Sequence, residues 1–484
     1  MKQFETSGWA IYKRLLSYAL PYWKLFFLII ISMIVFAATD TGFAALMKPM
    51  LDGNFVEKDP DTIRMVPLAL IALFLFRGVT GFISRYGMSW IGRNIIKHLR
   101  QDMYASLLAL PSQYLDHNSG GKLLSLFTYD VEQIAEATTN VMTIIIRDSL
   151  TLLFLLVFML WVSVPLTLLF LIMGPVIALV ISYASKRFRE SSRRIQASMG
   201  SLTQRVEETL SGLRLIKSYS AQRQQKNHFQ EVNEMNRAHH LKMSLINNIS
   251  TPLVQFIAAC TLALVIYLAS SEHYISHISV GEFVSFMTAM MLLMQPMKRL
   301  TNINVPLQKG IAAAGSVFSL IDEIPEADTG KERIKRSKGS ITFNHVSFKY
   351  GQGDRHALVD LSLDIQPGES IAIVGRSGSG KSTLVQLLER FYSPDSGEIL
   401  LDGLSLDHYQ LEDLRKQFAV VSQDIILFND TVSNNLAIGL TATDRLIEKM
   451  IQATTSAHAI DFINQLPNKF ETTVGDNGAL LSGG

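Results

Sequence analysis

Long apolar stretches separated by polar connections fill the first 300 residues, whereas the rest of the chain mixes apolar and polar positions as a water-soluble domain does. A helix that crosses a bilayer needs about 20 mostly apolar residues. The first 24 residues combine Lys and Arg with aromatic and aliphatic residues, which predicts an amphipathic helix lying on the membrane surface. The apolar pattern predicts six spans, at residues 25–47, 65–88, 138–162, 164–184, 251–270 and 278–297.

The distribution of Lys and Arg predicts how these spans are oriented. The long connections after the second and fourth spans are rich in both residues, whereas the fifth and sixth spans are joined without any. Positive charge marks the cytoplasmic side, so both termini and both long connections are expected inside. The long connections have a helical pattern, and a helical hairpin of that length projects roughly 40 Å from the bilayer. We therefore expect two helical elbows that reach into the cytoplasm.

Composition excludes some classes of protein. Apolar residues make up 48% of the chain and charged residues 18%, and the formal net charge is only +2. No overall basic field favours nucleic acid as a partner. The single cysteine, Cys260, excludes an intrachain disulfide, and its apolar surroundings indicate a small buried or lipid-facing residue. Residues 322–339 contain Pro and Gly among alternating charges, which predicts a linker between a transmembrane domain at 25–321 and a soluble domain at 340–484.

A phosphate-binding loop is the strongest functional signal in the soluble domain. A β-rich apolar run at 370–374 precedes it and predicts a strand, and a helical pattern follows it. Glycines let successive backbone N–H groups point at phosphate oxygens, and a helix N-terminus adds the positive end of its dipole. Lys381 is expected to reach the β- and γ-phosphates of ATP, and the Ser382 hydroxyl to bind Mg²⁺. The predicted nucleotide site consists of Gly375, Arg376, Ser377, Gly378, Ser379, Gly380, Lys381, Ser382 and Thr383.

Three further motifs resemble those of ATP-binding-cassette (ABC) proteins. Residues 481–484 (LSGG) are similar to the ABC signature, 421–424 (VSQD) to the Q-loop and 348–350 (FKY) to the A-loop. The resemblance implies that Tyr350 stacks on adenine and that Gln423 lies near Mg²⁺ and the attacking water. It also implies contacts between the signature of one subunit and the γ-phosphate of ATP held by the other, and hence a homodimer. The signature residues concerned are Ser482, Gly483 and Gly484.

The order of spans and cassette is that of ABC exporters with one bundle and one cassette per chain. The expected fold is therefore an all-α six-helix transmembrane bundle fused to an incomplete α/β P-loop nucleotide-binding domain. Within this family, the bacterial lipid A–core flippases are similar at residues 38–41, 46–52, 298–304, 428–432 and 474–478. The resemblance implies ATP-driven transfer of lipid A–core oligosaccharide, by alternating access, from the inner to the outer leaflet of the bacterial inner membrane.

Two other functions stay open at this point. The cassette motifs are shared by all ABC exporters, so an exporter of hydrophobic drugs or of another lipid fits them equally well. A row of methionines on the sixth span is compatible with that alternative, although such a row is more often packing. A membrane protein that binds ATP as a switch without hydrolysing it is the alternative from another class.

Ionisable residues inside the spans indicate a substrate site. Arg77 lies about 18 Å from the outer end of the second span, and Arg147 about 14 Å from the inner end of the third. Lys298 closes the sixth span at its inner edge. These depths predict a positive girdle facing the inner leaflet. Arg and Lys suit phosphate oxygens, which the resemblance implies at both ends of the lipid A disaccharide.

The same charges have simpler interpretations. Lys298 and its neighbour Arg299 fit snorkelling to the lipid headgroups. Arg147 fits a local ion pair with the adjacent Asp148. Two acidic residues in the spans fit either cavity lining or hydrogen bonding between helices, namely Asp40 and Glu282.

The family pattern also places the Walker B carboxylates and a switch histidine after the signature. Neither follows Gly484. We therefore expect the 484 residues to be part of a longer protein and to hydrolyse no ATP by themselves, with Gln423 the only catalytic residue present.

Overall fold

The computed structural model describes residues 8–269, 279–351, 356–423, 425–440, 445–478 and 480–481. The chain divides into two compact units, Met1–Ala327 and Asp328–Gly484. The first unit is helical, and the second combines helices with a small antiparallel sheet.

Long helices make up the first unit. Three π-helical turns, Leu126–Asp130, Ala137–Val141 and Ile144–Asp148, connect α5, α6 and α7 into one nearly continuous helix. The helices are α1 Gly8–Ser17, α2 Trp23–Leu51, α3 Pro60–Ala109, α4 Ser112–His117, α5 Gly120–Ser125, α6 Val131–Glu136, α7 Ser149–Val162, α8 Val164–Ser211, α9 Leu213–Ser218, α10 Gln222–Ala269, α11 Val280–Asn302 and α12 Asn304–Ile321.

The predicted spans fall on these helices. The first, second and third predicted spans and most of the sixth lie within four stretches that are long and apolar enough to cross a bilayer, namely Leu20–Glu57, Pro60–Ala109, Gly120–Val162 and Val280–Ile321. The fourth and fifth predicted spans lie on α8 and α10, where many side chains are outside the described residues, as are residues 270–278. The number six therefore stays a prediction. The helices α3 and α8 continue far beyond their predicted spans, as expected for the elbows.

The N-terminal amphipathic helix is present as α1, but its apolar side packs against protein. Leu15 and Tyr12 are buried, and Leu15 belongs to a core shared with α2, α3 and α12. Arg14 forms an ion pair with Asp322, just after α12, and lies over the ring of Phe318. Helices of the same chain thus cover Leu15 and Tyr12, and the position of α1 on the membrane surface stays a prediction.

Close packing of α3 in the first unit depends on a glycine at position 92. Gly92 of α3 faces the π-helical turn Ala137–Val141, and a Cβ atom on it would lie 2.3 Å from Cγ2 of Thr139. A hydrogen atom at Gly92 therefore lets α3 approach this turn more closely than any other residue would.

The second unit is built on a four-stranded antiparallel sheet in the order β2–β1–β3–β4. Apolar side chains of β1, β3 and α13 form its core, among them Phe343, Ile399 and Leu387. The strands are β1 Ile341–Lys349, β2 His356–Ile365, β3 Ser396–Leu401 and β4 Leu404–Ser405. The helices are α13 Lys381–Leu388, α14 Leu411–Arg415, α15 Val432–Leu436, α16 Leu446–Ser456 and α17 Ile460–Gln465.

The strand predicted before the phosphate-binding loop is not part of this sheet. Residues 370–374 form no strand, and Val374 is 89% exposed. A strand exists only where a neighbour accepts and donates its backbone hydrogen bonds, and no described residue pairs with this segment. The expected α/β character comes instead from helices packed on an antiparallel sheet.

Candidate nucleotide and substrate sites

The glycine-rich loop has the backbone geometry that phosphate binding requires. Gly378 and Gly380 have φ angles of +78° and +90°, which favour glycine. A Cβ atom on Gly380 would lie 2.6 Å from the carbonyl oxygen of Ala357, so the loop passes β2 too closely for a side chain. The helix α13 begins at Lys381, directly after this glycine. The unpaired N–H groups of its first turn therefore adjoin the loop.

The ammonium group of Lys381 lies over the same loop. Its Nζ atom donates to the carbonyl oxygens of Gly375 at 3.0 Å and Arg376 at 2.9 Å. Residues 375–379 are exposed, as is Ser382, whereas the neighbouring Thr383 is buried. An exposed loop of backbone N–H groups with a lysine folded across it fits the polyphosphate of a nucleotide. These predicted residues therefore come together as expected.

Two side chains of α13, the helix that follows the loop, contact the hydroxyl of Tyr350 and hold this residue beside the loop. Its hydroxyl donates to Oε1 of Gln386 at 2.6 Å and lies 3.0 Å from Oγ1 of Thr383. Its ring contacts those of Phe348 and Tyr392 edge to face, with centroids 4.9 and 5.1 Å apart. Because Tyr350 remains 42% exposed, the ring retains surface on which a base can stack.

Gln423 is the one other predicted nucleotide contact that the structure describes. Gln423 is exposed, and it makes no hydrogen bond with any residue that the structure describes. Asp424 and residues 482–484 lie outside the described residues, so the expected roles of the signature stay predictions.

In the transmembrane unit, the structure brings Arg77 and Arg147 together on one aromatic ring. Their Cζ atoms lie 4.6 and 5.5 Å from the ring centroid of Phe36. Arg77 also forms an ion pair with Asp40, one helical turn from Phe36 on α2. The ring and the carboxylate together compensate for placing a guanidinium group inside a span.

Asp148 forms the second half of this cluster. Its carboxylate accepts hydrogen bonds from Nε of Arg147 at 3.1 Å and from Nε and Nη2 of Arg299 at 2.6 and 3.1 Å. The local pair of Arg147 and Asp148 is thus confirmed. Snorkelling does not describe Arg299, because its side chain turns to Asp148. Lys298, which the sequence assigned to the girdle, is exposed, and its role stays a prediction. Arg299, which the sequence assigned to the headgroups, reaches the cluster through Asp148.

The two acidic residues that the sequence left open both make contacts between helices. Asp40 pairs with Arg77, and Glu282 accepts a hydrogen bond from Nζ of Lys48 at 2.8 Å. Near Glu282, Asp52 accepts from the Ser279 hydroxyl at 2.5 Å and from the backbone N–H of Gly281 at 2.8 Å, two contacts that the sequence did not predict. These bonds join the end of α2 to the start of α11. In the sequence, the only indication of these contacts was the presence of charge at the ends of two apolar runs.

A helical membrane unit followed by a unit with a phosphate-binding loop defines a class of transport protein. Residues 26–297 match the family model described as the ABC transporter transmembrane region, and residues 358–484 match the one described as ABC transporter. The chain belongs to the ABC transporter family.

Curated relatives narrow the similarity. The chain is 49% identical over 478 residues to the ATP-dependent lipid A-core flippase of Nitrosococcus oceani, an alignment that covers 99% of this chain and 80% of the relative. Proteins of the same name from Alkalilimnicola ehrlichii and Chromohalobacter salexigens are 41% and 42% identical, over 99% of this chain and 81% and 82% of theirs. The resemblance to this branch of the ABC exporters is thus confirmed.

Proposed function

We propose that this protein hydrolyses ATP to move lipid A–core oligosaccharide from the inner to the outer leaflet of the bacterial inner membrane. The observation that carries the proposal is the pair of arginines, Arg77 and Arg147, on the ring of Phe36 within a bundle of apolar helices. The relatives described above are named for the same substrate.

The chemistry of the arginine pair suits a phosphorylated lipid. A guanidinium group presents planar N–H donors that match phosphate oxygens, and it stays charged at any physiological pH. The surrounding apolar helices suit the acyl chains of the same molecule. Lys298, at the end of the sixth predicted span, adds a third cation to the proposed substrate site.

The nucleotide site consists of residues 375–383 with Tyr350. Bound ATP supplies the free energy for transport through cleavage of its terminal phosphoanhydride bond. With nucleotide bound, Lys381 would exchange the carbonyl oxygens of Gly375 and Arg376 for phosphate oxygens, and the Ser382 hydroxyl and Gln423 would hold Mg²⁺. Residues 482–484 complete the site of the other subunit. The proposed assembly is therefore a homodimer, with both termini in the cytoplasm.

Transport follows from a change between inward-open and outward-open states. Closure of two cassettes on ATP draws the elbows together, and the elbows transmit this movement to the spans. Substrate shifts the equilibrium only as far as it binds one state better than the other. A phosphorylated lipid binds the inward-open state better if Arg77 and Arg147 lie together only in that state.

Two substitutions test the substrate. Arg77→Ala and Arg147→Ala, made in the full-length protein in lipid nanodiscs, are expected to lower lipid A-stimulated ATP turnover more than basal turnover. Arg64→Ala is the matched control, because Arg64 is exposed on the same helix about 20 Å from Arg77. Unchanged stimulation in both test variants contradicts the arginine site. A wild-type ATPase that lipid A does not stimulate contradicts the proposed substrate.

Depletion of the protein in cells tests the direction of transport. Lipid A–core is expected to accumulate in the inner leaflet, where it can be quantified by its accessibility to leaflet-specific modification.

Export of hydrophobic drugs is the second candidate. Met291 on α11 is exposed and polarisable, as a permissive apolar site requires. Its neighbour Met290 is buried in a core with α2, α7 and α8, so the methionine row serves packing at least in part. Turnover that responds to drugs but not to lipid A favours this candidate.

A further inference from the structure

We propose that Arg299 is an additional phosphate-binding residue of the substrate site and that Asp148 positions it. The site then contains three arginines, contributed by α3, the π-helical turn Ile144–Asp148 and α11. This inference rests on the proposed function and extends it to a residue whose charge the sequence assigned to the lipid headgroups.

The side chain of Arg299 is directed towards Asp148. Arg299 lies in the last turn of α11, next to Lys298. Consecutive side chains on a helix diverge by about 100°, so two adjacent cations cannot serve the same site equally. The structure turns Arg299 to Asp148, with Nε 2.6 Å from Oδ2. Since Arg147 binds the same carboxylate and lies over the ring of Phe36, Arg299 joins the charged group to which Arg147 belongs.

The charged group around Asp148 and Arg77 is net positive. The side chain of Asp148 is only 1% exposed, and a buried carboxylate requires cationic partners. It has two such partners, Arg147 and Arg299, so one negative charge faces two positive charges. Asp40 neutralises Arg77 separately. Among the residues that the structure describes, these three arginines therefore retain one uncompensated positive charge, which favours an anionic ligand.

Arg147 and Arg299 both keep N–H donors that Asp148 does not occupy. A guanidinium group has five N–H donors. Arg147 uses only Nε on Asp148, and Arg299 uses Nε and Nη2, which leaves Nη1 of both arginines for a ligand. The side chain of Arg299 is 41% exposed, whereas Asp148 is buried behind it. A ligand phosphate can therefore add to the arginines without displacing Asp148.

Positioning by a buried carboxylate is what makes Arg299 effective. A free arginine side chain loses conformational entropy when it binds, and a fork that is already held loses less. The turn that contains Asp148 is π-helical, a distortion that is frequent at functional sites. Asp148 touches no ligand in this arrangement, so it acts on binding only through Arg147 and Arg299.

The test uses the full-length transporter in nanodiscs, titrated separately with bis-phosphorylated lipid A and with its monophosphorylated derivative. The loss of one charge-assisted contact in Arg299→Gln is expected to weaken the apparent affinity for bis-phosphorylated lipid A by about tenfold. The preference for two phosphates over one is expected to shrink by a similar factor. Arg64→Gln removes the same charge from an exposed position on α3, about 20 Å from Arg77, and is expected to change neither value.

Variants of Asp148 test positioning separately. Asp148→Asn keeps all three arginines but removes the carboxylate that holds two of them, so apparent affinity is expected to fall while maximal stimulated turnover is retained. Asp148→Glu is expected to restore part of the affinity. A purely structural ion pair predicts instead a lower thermal stability with an unchanged affinity in both variants, and that result overturns the inference.

The outcomes separate this inference from the proposed function. If lipid A does not stimulate the wild-type protein, the proposed function fails. If it does and Arg299→Gln retains wild-type affinity and phosphate preference, only the inference fails. Should Arg299→Gln not fold, Arg299→Lys preserves the charge but not the fork and is expected to bind lipid A with intermediate affinity. Wild-type affinity in Arg299→Lys overturns the role of the fork.

Discussion

The hydroxyl and the ring of Tyr350 can be removed separately, and each removal has a different expected effect on ATP binding. Tyr350→Phe deletes the hydroxyl that contacts Gln386 at 2.6 Å and Thr383 at 3.0 Å but retains the ring. Tyr350→Ala deletes both. If the hydroxyl holds the ring in place and the ring stacks on adenine, Tyr350→Phe loses less ATP affinity than Tyr350→Ala.

The structure sets the magnitudes. The hydroxyl contacts are partly exposed, so together they contribute about 1 kcal/mol, which corresponds to an ATP affinity about fivefold weaker in Tyr350→Phe. Stacking of a base on an aromatic side chain contributes about 1–3 kcal/mol. The expected loss for Tyr350→Ala is therefore about 2–4 kcal/mol, or roughly 30-fold to 1,000-fold.

Equilibrium binding of a non-hydrolysable ATP analogue to the full-length protein measures both losses. Tyr409→Phe is the matched control, since the Tyr409 hydroxyl donates to the carbonyl oxygen of Leu401 at 2.9 Å in the same unit. The control is expected to lose stability but not nucleotide affinity. Wild-type affinity in Tyr350→Ala refutes adenine stacking, and equal losses in the two Tyr350 variants show that the hydroxyl rather than the ring is responsible.

Three further predictions concern packing, charge and pH. Burial raises the pKa of Asp402, but hydrogen bonds from the backbone N–H groups of residues 338–340 outweigh burial and hold that pKa below its ordinary value. A lowered pKa stabilises the fold above the unfolded value of about 3.9, and this contribution is lost as the pH falls through the folded value. Asp402→Asn is therefore expected to cost about 1–2 kcal/mol at neutral pH, seen as faster amide exchange at residues 338–340, and almost nothing in acid. Gly92→Ala is expected to cost about 1–3 kcal/mol in thermal unfolding because its Cβ meets Thr139 at 2.3 Å, and Thr139→Ser, which removes the obstructing methyl group, is expected to restore most of it. Lys48→Glu is expected to separate the adjoining ends of α2 and α11 in spin-label distance measurements, and adding Glu282→Lys is expected to bring them together again; unchanged distances in the single variant contradict this role of the pair.

Local patterns were sufficient for the loop and for the first spans. Gly378, Gly380 and Lys381 act through backbone angles and a helix start that a short segment determines by itself. Apolar runs such as residues 25–47 likewise need no partner to be recognised. A strand does need a partner, so the prediction at 370–374 failed because none of the described strands pairs with this segment.

The choice between Lys298 and Arg299 could not be made from the sequence for a related reason. Both residues carry the same charge at the same depth, and only the phase of α11 decides which one faces Asp148. In the facing segment, three π-helical turns between Leu126 and Asp148 change which side chains lie on the same face of the helix. A regular helical period does not predict this change. Asp40 was visible as a charge in a span, but its pairing with Arg77 depends on how α2 and α3 pack.

Polar contacts lie at two levels of the bundle, and they differ in how much solvent reaches them. At the end predicted to face outward, Lys48 and Glu282 join α2 to α11 with side chains that are 47% and 28% exposed. An ion pair this exposed contributes about 1 kcal/mol or less, so it can open and close readily. At the deeper level, Asp148 is buried between two arginines, and separating them leaves an uncompensated charge. We infer that the exposed contacts exchange during transport, whereas Asp148 keeps Arg147 and Arg299 together while a ligand phosphate binds to them.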